Sequence, residues 1–139
     1  MTHTTEELKK ILARTSSKCH ICGKKVALKA YGKLGKRGAW EIDHSNPRAN
    51  GGTDGYNNLY AACICCNRSK GACSTRTVRA RHGTVRAPLS VKRRRIAKLE
   101  NAVTYGAGGA GIGSLFGPVG MVAGALIGAH MGHKKNPDE

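Results

Sequence analysis

Cys19-x-x-Cys22 and Cys63-x-x-Cys66 are two thiol pairs with the same internal spacing, set some forty positions apart. A two-residue gap lets both sulfurs of a pair turn onto one ion. Two such pairs supply the four thiolates of a closed, tetrahedral structural zinc site that ties distant segments together. Cys65 competes with Cys66, since Cys63-x-Cys65 is also a pair, but the two-residue spacing favours Cys66. Cys73 is left as a free thiol, and His20, inside the first knuckle, is expected to face solvent rather than to ligate. Within the clamp lie Trp40-Glu41-Ile42-Asp43-His44 and Asn57-Asn58-Leu59, and Asn67 follows the last ligand. In isolation, Asp43-His44 could simply end a strand.

Composition sets the frame for these residues. The chain has 139 residues, room for about one domain. Aromatics make up 4% of it and glycines number 19, so its core is thin and a metal staple is what such a core needs. Met1 to Arg14 contains no apolar run of a secretory signal, so a reducing, cytoplasmic compartment is expected, and zinc is preferred to disulfides. The formal net charge of +16 calls for a polyanion, nucleic acid first and an anionic membrane surface second. No Asp or Glu lies between Asp54 and Glu100, an interval that includes Arg68, Lys70, Arg76, Arg79, Arg81 and Arg93-Arg94-Arg95. Such a run repels itself unless phosphates neutralise it.

The elements that must position these residues follow from pattern. Thr4 and Glu7 have capping-box spacing, and Leu8, Ile11 and Leu12 share a face, which predicts an N-terminal helix within residues 1–17. Residues 18–71 form the clamped core. Ala39 to Asp43 reads as a strand, Ser45 to Gly55 as a loop with Pro47 and Gly51-Gly52, and Leu59 to Ala62 as a second strand. Cys63 onward reads as a helix carrying Asn67 and Lys70. Residues 72–100 are a basic linker broken at Pro88, with a short helix from a Ser90 cap through Leu99. Residues 101–133 are a hydrophobic glycine-rich segment, and 134–139 a polar tail.

The ordered set Cys19-x-x-Cys22, Trp40-Glu41-Ile42-Asp43-His44, Gly51-Gly52-Thr53-Asp54, Asn58-Leu59 and Cys63-x-x-Cys66-Asn67, with Lys70 trailing, resembles the HNH endonucleases. The likeness covers residues 18–71, with Asn67 where the family's third letter is His. It implies an α+β chain built on a zinc-stapled ββα-metal core that cleaves DNA. In that reading His44 is the general base. Asp43 and Asn67 hold Mg²⁺ or another divalent cation through hard oxygens. Asn58, rather than the alternative Asn57, steadies the loop and His44. Arg48, Arg68 and Lys70 meet phosphates, joined by Arg76, Arg79 and Arg81 of the basic run. No extended recognition domain is visible, so relaxed sequence specificity is expected.

The likeness ends before the glycine-rich segment, which resembles the glycine-zipper stretches of bacterial membrane-associated proteins. Gly109, Gly113 and Gly117 recur every four residues, as do Gly120, Gly124, Gly128 and Gly132, a spacing that places them on one helical face. Residues 101–132 carry no Asp, Glu, Lys or Arg, and basic residues flank both ends. Either a membrane or a second copy of the chain is the expected partner of this segment. Gly117-Pro118 splits it, and basic flanks on both sides favour a hairpin at the inner face of a membrane. Two rival readings stand beside the nuclease: a zinc module that binds nucleic acid without cutting it, and a membrane-active toxin acting through the tail.

Overall fold

The structure, a computed structural model, describes residues 3–138. It divides into two compact units that meet in sequence at Val91 and Lys92. The first unit holds helix α1 (Thr5–Ala13), strands β1 (Trp40–His44) and β2 (Leu59–Cys63), and helices α2 (Ile64–Lys70) and α3 (Thr75–Arg81). The chain is therefore α+β with a single two-stranded sheet among the described residues.

Helix α1 starts where its capping box predicts. Thr4 Oγ1 accepts from the Glu7 amide at 3.3 Å, and the Glu7 carboxylate accepts from the Thr4 amide at 2.9 Å. Its buried face is Leu8, Ile11 and Leu12. At its far end Arg14 donates to the carbonyls of Leu59 (2.7 Å), Asn57 (3.2 Å) and Tyr56, with its guanidinium 3.9 Å from the Tyr60 ring centre. One side chain thus fixes α1 to the entrance of β2.

Strands β1 and β2 pair antiparallel with Trp40 opposite Cys63 and His44 opposite Leu59. Such a hairpin is marginal in water by itself. It is held by a small core of Leu8, Ile11, Leu12, Ile21, Val26, Trp40, Ala61, Ala62 and Val78, to which Cys19 and Cys66 also belong. Trp40 is fully buried and its indole donates to the Ala27 carbonyl at 2.8 Å. The connection between the strands turns on Gly51, whose φ of 77° is left-handed, and Gly52, where a Cβ would overlap the Asn46 carbonyl.

The second unit differs from the expected linker and short helix. Helix α4 (Val91–Gly113) runs without a break through Leu99 and into the glycine-rich segment, and α5 spans Gly117–Lys134. Pro88 lies before α4 begins, and Leu99 offers no stop signal, so nothing interrupts the helix until the turn at Ser114–Phe116. Gly117 caps that turn as α5 begins, and with φ 82° and nothing close to its Cβ position it is not part of the helix–helix seam on which the sequence spacing puts it.

Candidate active site and metal centre

The two C-x-x-C pairs meet. The sulfurs of Cys19, Cys22, Cys63 and Cys66 all lie within 4.8 Å of one another. Four sulfurs about 2.3 Å from a tetrahedral zinc stand roughly 3.8 Å apart, and Cys22 and Cys63 are 3.8 Å apart here. The donor set therefore fits a structural zinc ion. Cys65 lies outside the cluster and is exposed, as is Cys73. Four thiols this close cannot share charge evenly without a cation. Hydrogen bonds from Cys19 and then Cys63 pull the Cys22 thiol down to about 2. Cys63 is pushed up by its contact with Cys19, and burial raises Cys66 to about 12. Zinc removes the conflict, because it favours the thiolate at all four. His82 places Nε2 3.7 Å from Cys66 Sγ, a contact beside the ligand shell that no spacing rule points to.

His44 closes β1 at the edge of a cavity of about 390 Å³, lined also by Lys10, Tyr31, Ile42, Arg48, Asp54 and Tyr56. Its Nε2 lies 2.7 Å from Asp54 Oδ1. Arg48 brings Nε to 2.8 Å and Nη2 to 2.7 Å from the same oxygen. The His44 hydrogen bond, followed by that of Arg48, holds the Asp54 carboxyl below its ordinary range. An ionised carboxylate only accepts, so Nε2 carries a proton, and in the neutral imidazole the lone pair is therefore on Nδ1. Asn58 secures the loop that delivers Asp54. Its Oδ1 accepts from the Asn46 amide at 2.7 Å, and its Nδ2 donates to the carbonyls of Asn46 (2.9 Å) and Thr53 (2.8 Å).

Residues 19–72 match the family model of the HNH endonuclease. The chain carries an HNH domain. The matched segment holds the four-thiol cluster, both strands, His44 and all of α2. No curated protein and no solved structure matches the chain.

Within the HNH domain Asp43 sits apart from His44. Glu41 and Asp43 meet α2, whereas Ile42 and His44 line the cavity, as the two-residue period of a strand requires. Asp43 is buried, its Oδ1 2.9 Å from Lys70 Nζ and its Oδ2 2.6 Å from His20 Nε2. Lys70 also donates to the His44 carbonyl at 2.7 Å. His20, far from facing solvent, is fully buried, stacked 5.0 Å from Tyr60, and contacted by Arg79 at its carbonyl (2.7 Å) and at Nδ1 (3.1 Å). A histidine inside a knuckle gives no sign in sequence of which strand it meets; the pairing of β1 with β2 supplies Asp43. Burial lowers the basicity of Arg79.

The Mg²⁺ implied for Asp43 and Asn67 does not fit this arrangement. The obstacle is at Asp43, whose two oxygens are both engaged, one by an ammonium; Asn67 donates to Glu41 through Nδ2 at 3.0 Å, a contact that does not use its carbonyl oxygen. Among the residues expected on phosphates, Lys70 and Arg79 turn inward and hold the core. Arg48, Arg68, Arg76 and Arg81 are exposed, although Arg68 pairs with Glu41 at 3.2 Å.

Proposed function

We propose that the HNH domain hydrolyses phosphodiester bonds of DNA with His44 as general base. The observation that supports this most is the His44–Asp54 pair, 2.7 Å long, on an open cavity beside Arg48. Asp54 fixes the tautomer, so Nδ1 accepts a proton from water. The hydroxide forms a new P–O bond, the ester P–O bond opposite it breaks, and the departing oxygen takes a proton from solvent. Arg48, whose guanidinium keeps donors beyond those used on Asp54, faces the phosphoryl oxygens.

A second reading, a zinc module that binds DNA without cutting it, draws support from the closed Asp43. Plasmid incubated with the purified chain in EDTA and across Mg²⁺, Mn²⁺ and Ca²⁺ separates the two. Nicked or linear product in any condition supports the hydrolase, and a mobility shift with intact supercoils throughout supports the binding module.

The second unit adds association with a membrane, or with another copy of the chain, through residues 101–132. A membrane partner would hold the nuclease at the inner face of the bilayer.

A further inference from the structure

Helices α4 and α5 pack through their smallest residues. A Cβ on Gly109 would overlap the Gly124 carbonyl, one on Gly113 that of Gly120, one on Gly128 that of Tyr105, and one on Gly132 that of Asn101. These close approaches step one helical turn at a time along an antiparallel pair, so the two backbones come as near as helices can. The consequence is an inverted distribution of side-chain size. The seam holds glycine, while Val103, Ile112, Leu115, Phe116, Val119, Val122, Leu126 and Ile127 face outward. Leu115, Phe116 and Val119, at and beside the turn, are 81%, 80% and 83% exposed. A water-soluble hairpin would bury these and expose the small residues.

Two hydroxyls inside the stretch are satisfied within their own helix or turn, and the exposed His130 lies toward the open end of the pair. Ser114 Oγ donates to the Gly111 carbonyl at 2.7 Å, and Thr104 Oγ1 to that of Glu100 at 2.9 Å. Hydrocarbon demands this of any group it surrounds. Charge gathers at the open end, where Arg93, Arg95 and Lys98 of α4 and Lys134 and Lys135 lie beyond the apolar stretch, while Arg94 pairs with Asp138. Tyr105 stands at the same end, its hydroxyl accepting from Lys135 Nζ at 3.0 Å. Cations and a tyrosine at one end, and bare aliphatic and Phe side chains at the other, match a bilayer with anionic headgroups.

We infer that residues 101–132 enter an anionic bilayer as a hairpin, tip first, with both ends remaining on the same face. The inference rests on the membrane reading of this unit and adds which end enters, how deep it goes and which headgroups it takes. At about 1.5 Å per residue the uncharged arms reach roughly 20–24 Å, short of the ~30 Å hydrocarbon core. The turn therefore stops inside, and the HNH domain and the C-terminus share one side.

Flotation of the full chain with vesicles of phosphatidylcholine and phosphatidylglycerol tests this, compared with vesicles of phosphatidylcholine alone. The chain should float with the anionic vesicles. Leu115→Asp/Phe116→Asp should cut the bound fraction more than about tenfold, since burying each side chain favours insertion and a carboxylate opposes it. These positions are exposed, so folding of the variant is not at stake; zinc content and DNA binding confirm it. Protease added outside should remove both an N-terminal and a C-terminal tag from bound chain. Failure of wild type to float, including a soluble oligomer that ignores vesicles, would overturn the membrane reading itself. Flotation unaffected by the tip substitutions, or a protected C-terminal tag, would overturn the hairpin topology while leaving membrane association intact.

Discussion

At the residue scale, one pair open to the cavity and one buried pair carry opposite kinds of consequence. His44 and Asp54 face the cavity, where loss costs rate. His44→Ala should lower cleavage about 10²–10⁴-fold, the usual contribution of a positioned base. Asp54→Asn should lower kcat more than KM, because an amide can donate as well as accept and so no longer fixes the imidazole tautomer. A ¹⁵N spectrum of His44 reads this directly: the Nε2–H form should dominate in wild type and lose dominance in Asp54→Asn. Equal kcat and an unchanged tautomer would show Asp54 to be a bystander. Asp43 and Lys70 face the core, where loss costs stability. Lys70→Met leaves a buried carboxylate with only His20, and should destabilise the zinc-loaded domain by about 3–5 kcal/mol in denaturant unfolding. A loss within about 0.5 kcal/mol, the range of ordinary surface changes, would mean the pair is open to water. The cysteine spacing and the Asp43-His44 pair are legible in sequence because they are local. The partners His20, Asp54, Lys70 and Arg79 are not, since each is brought in by strand pairing, by the loop that Asn58 holds, or by helix packing.

At the element scale, the first unit joins a two-stranded hairpin and short helices through a cluster of four cysteines that fits a zinc ion. Its capping box, its strand order and the helix after Cys63 can be read from local pattern, because capping and the two-residue strand period act within a few positions. The continuation of α4 past Leu99 cannot, because the glycines that follow disfavour a helix in water even though no Gly or Pro marks a stop at Leu99 itself. Zinc binding should be needed for this unit to fold. Cys63→Ser, or a strong chelator, should abolish the cooperative transition of residues 18–71 in circular dichroism, while the helical signal of residues 92–138 persists. Protons compete with zinc for thiolates, so affinity for the ion should fall as pH falls. Full zinc retention and unaltered melting in Cys63→Ser would show that folding does not depend on the metal.

At the scale of the whole molecule, a net charge of +16 should make DNA affinity fall steeply with salt. Removing one cation from a phosphate should lower the slope of log K against log salt by about 0.9. Arg76→Ala and Arg81→Ala, both exposed, should each reduce the slope by about one without changing melting, if they meet phosphates. Arg79→Ala should act on melting instead, because its guanidinium holds His20. A flat salt dependence would show the basic run to be a linker only. Everything proposed for the cavity depends on this HNH domain cutting DNA. Single-turnover cleavage of supercoiled plasmid by the full chain, wild type against His44→Ala at matched zinc content and matched DNA binding, tests it most directly. Wild type should give nicked or linear product, and His44→Ala a rate at least about 10²-fold lower; equal rates, or intact plasmid with both proteins across all divalent ions tried, would contradict it.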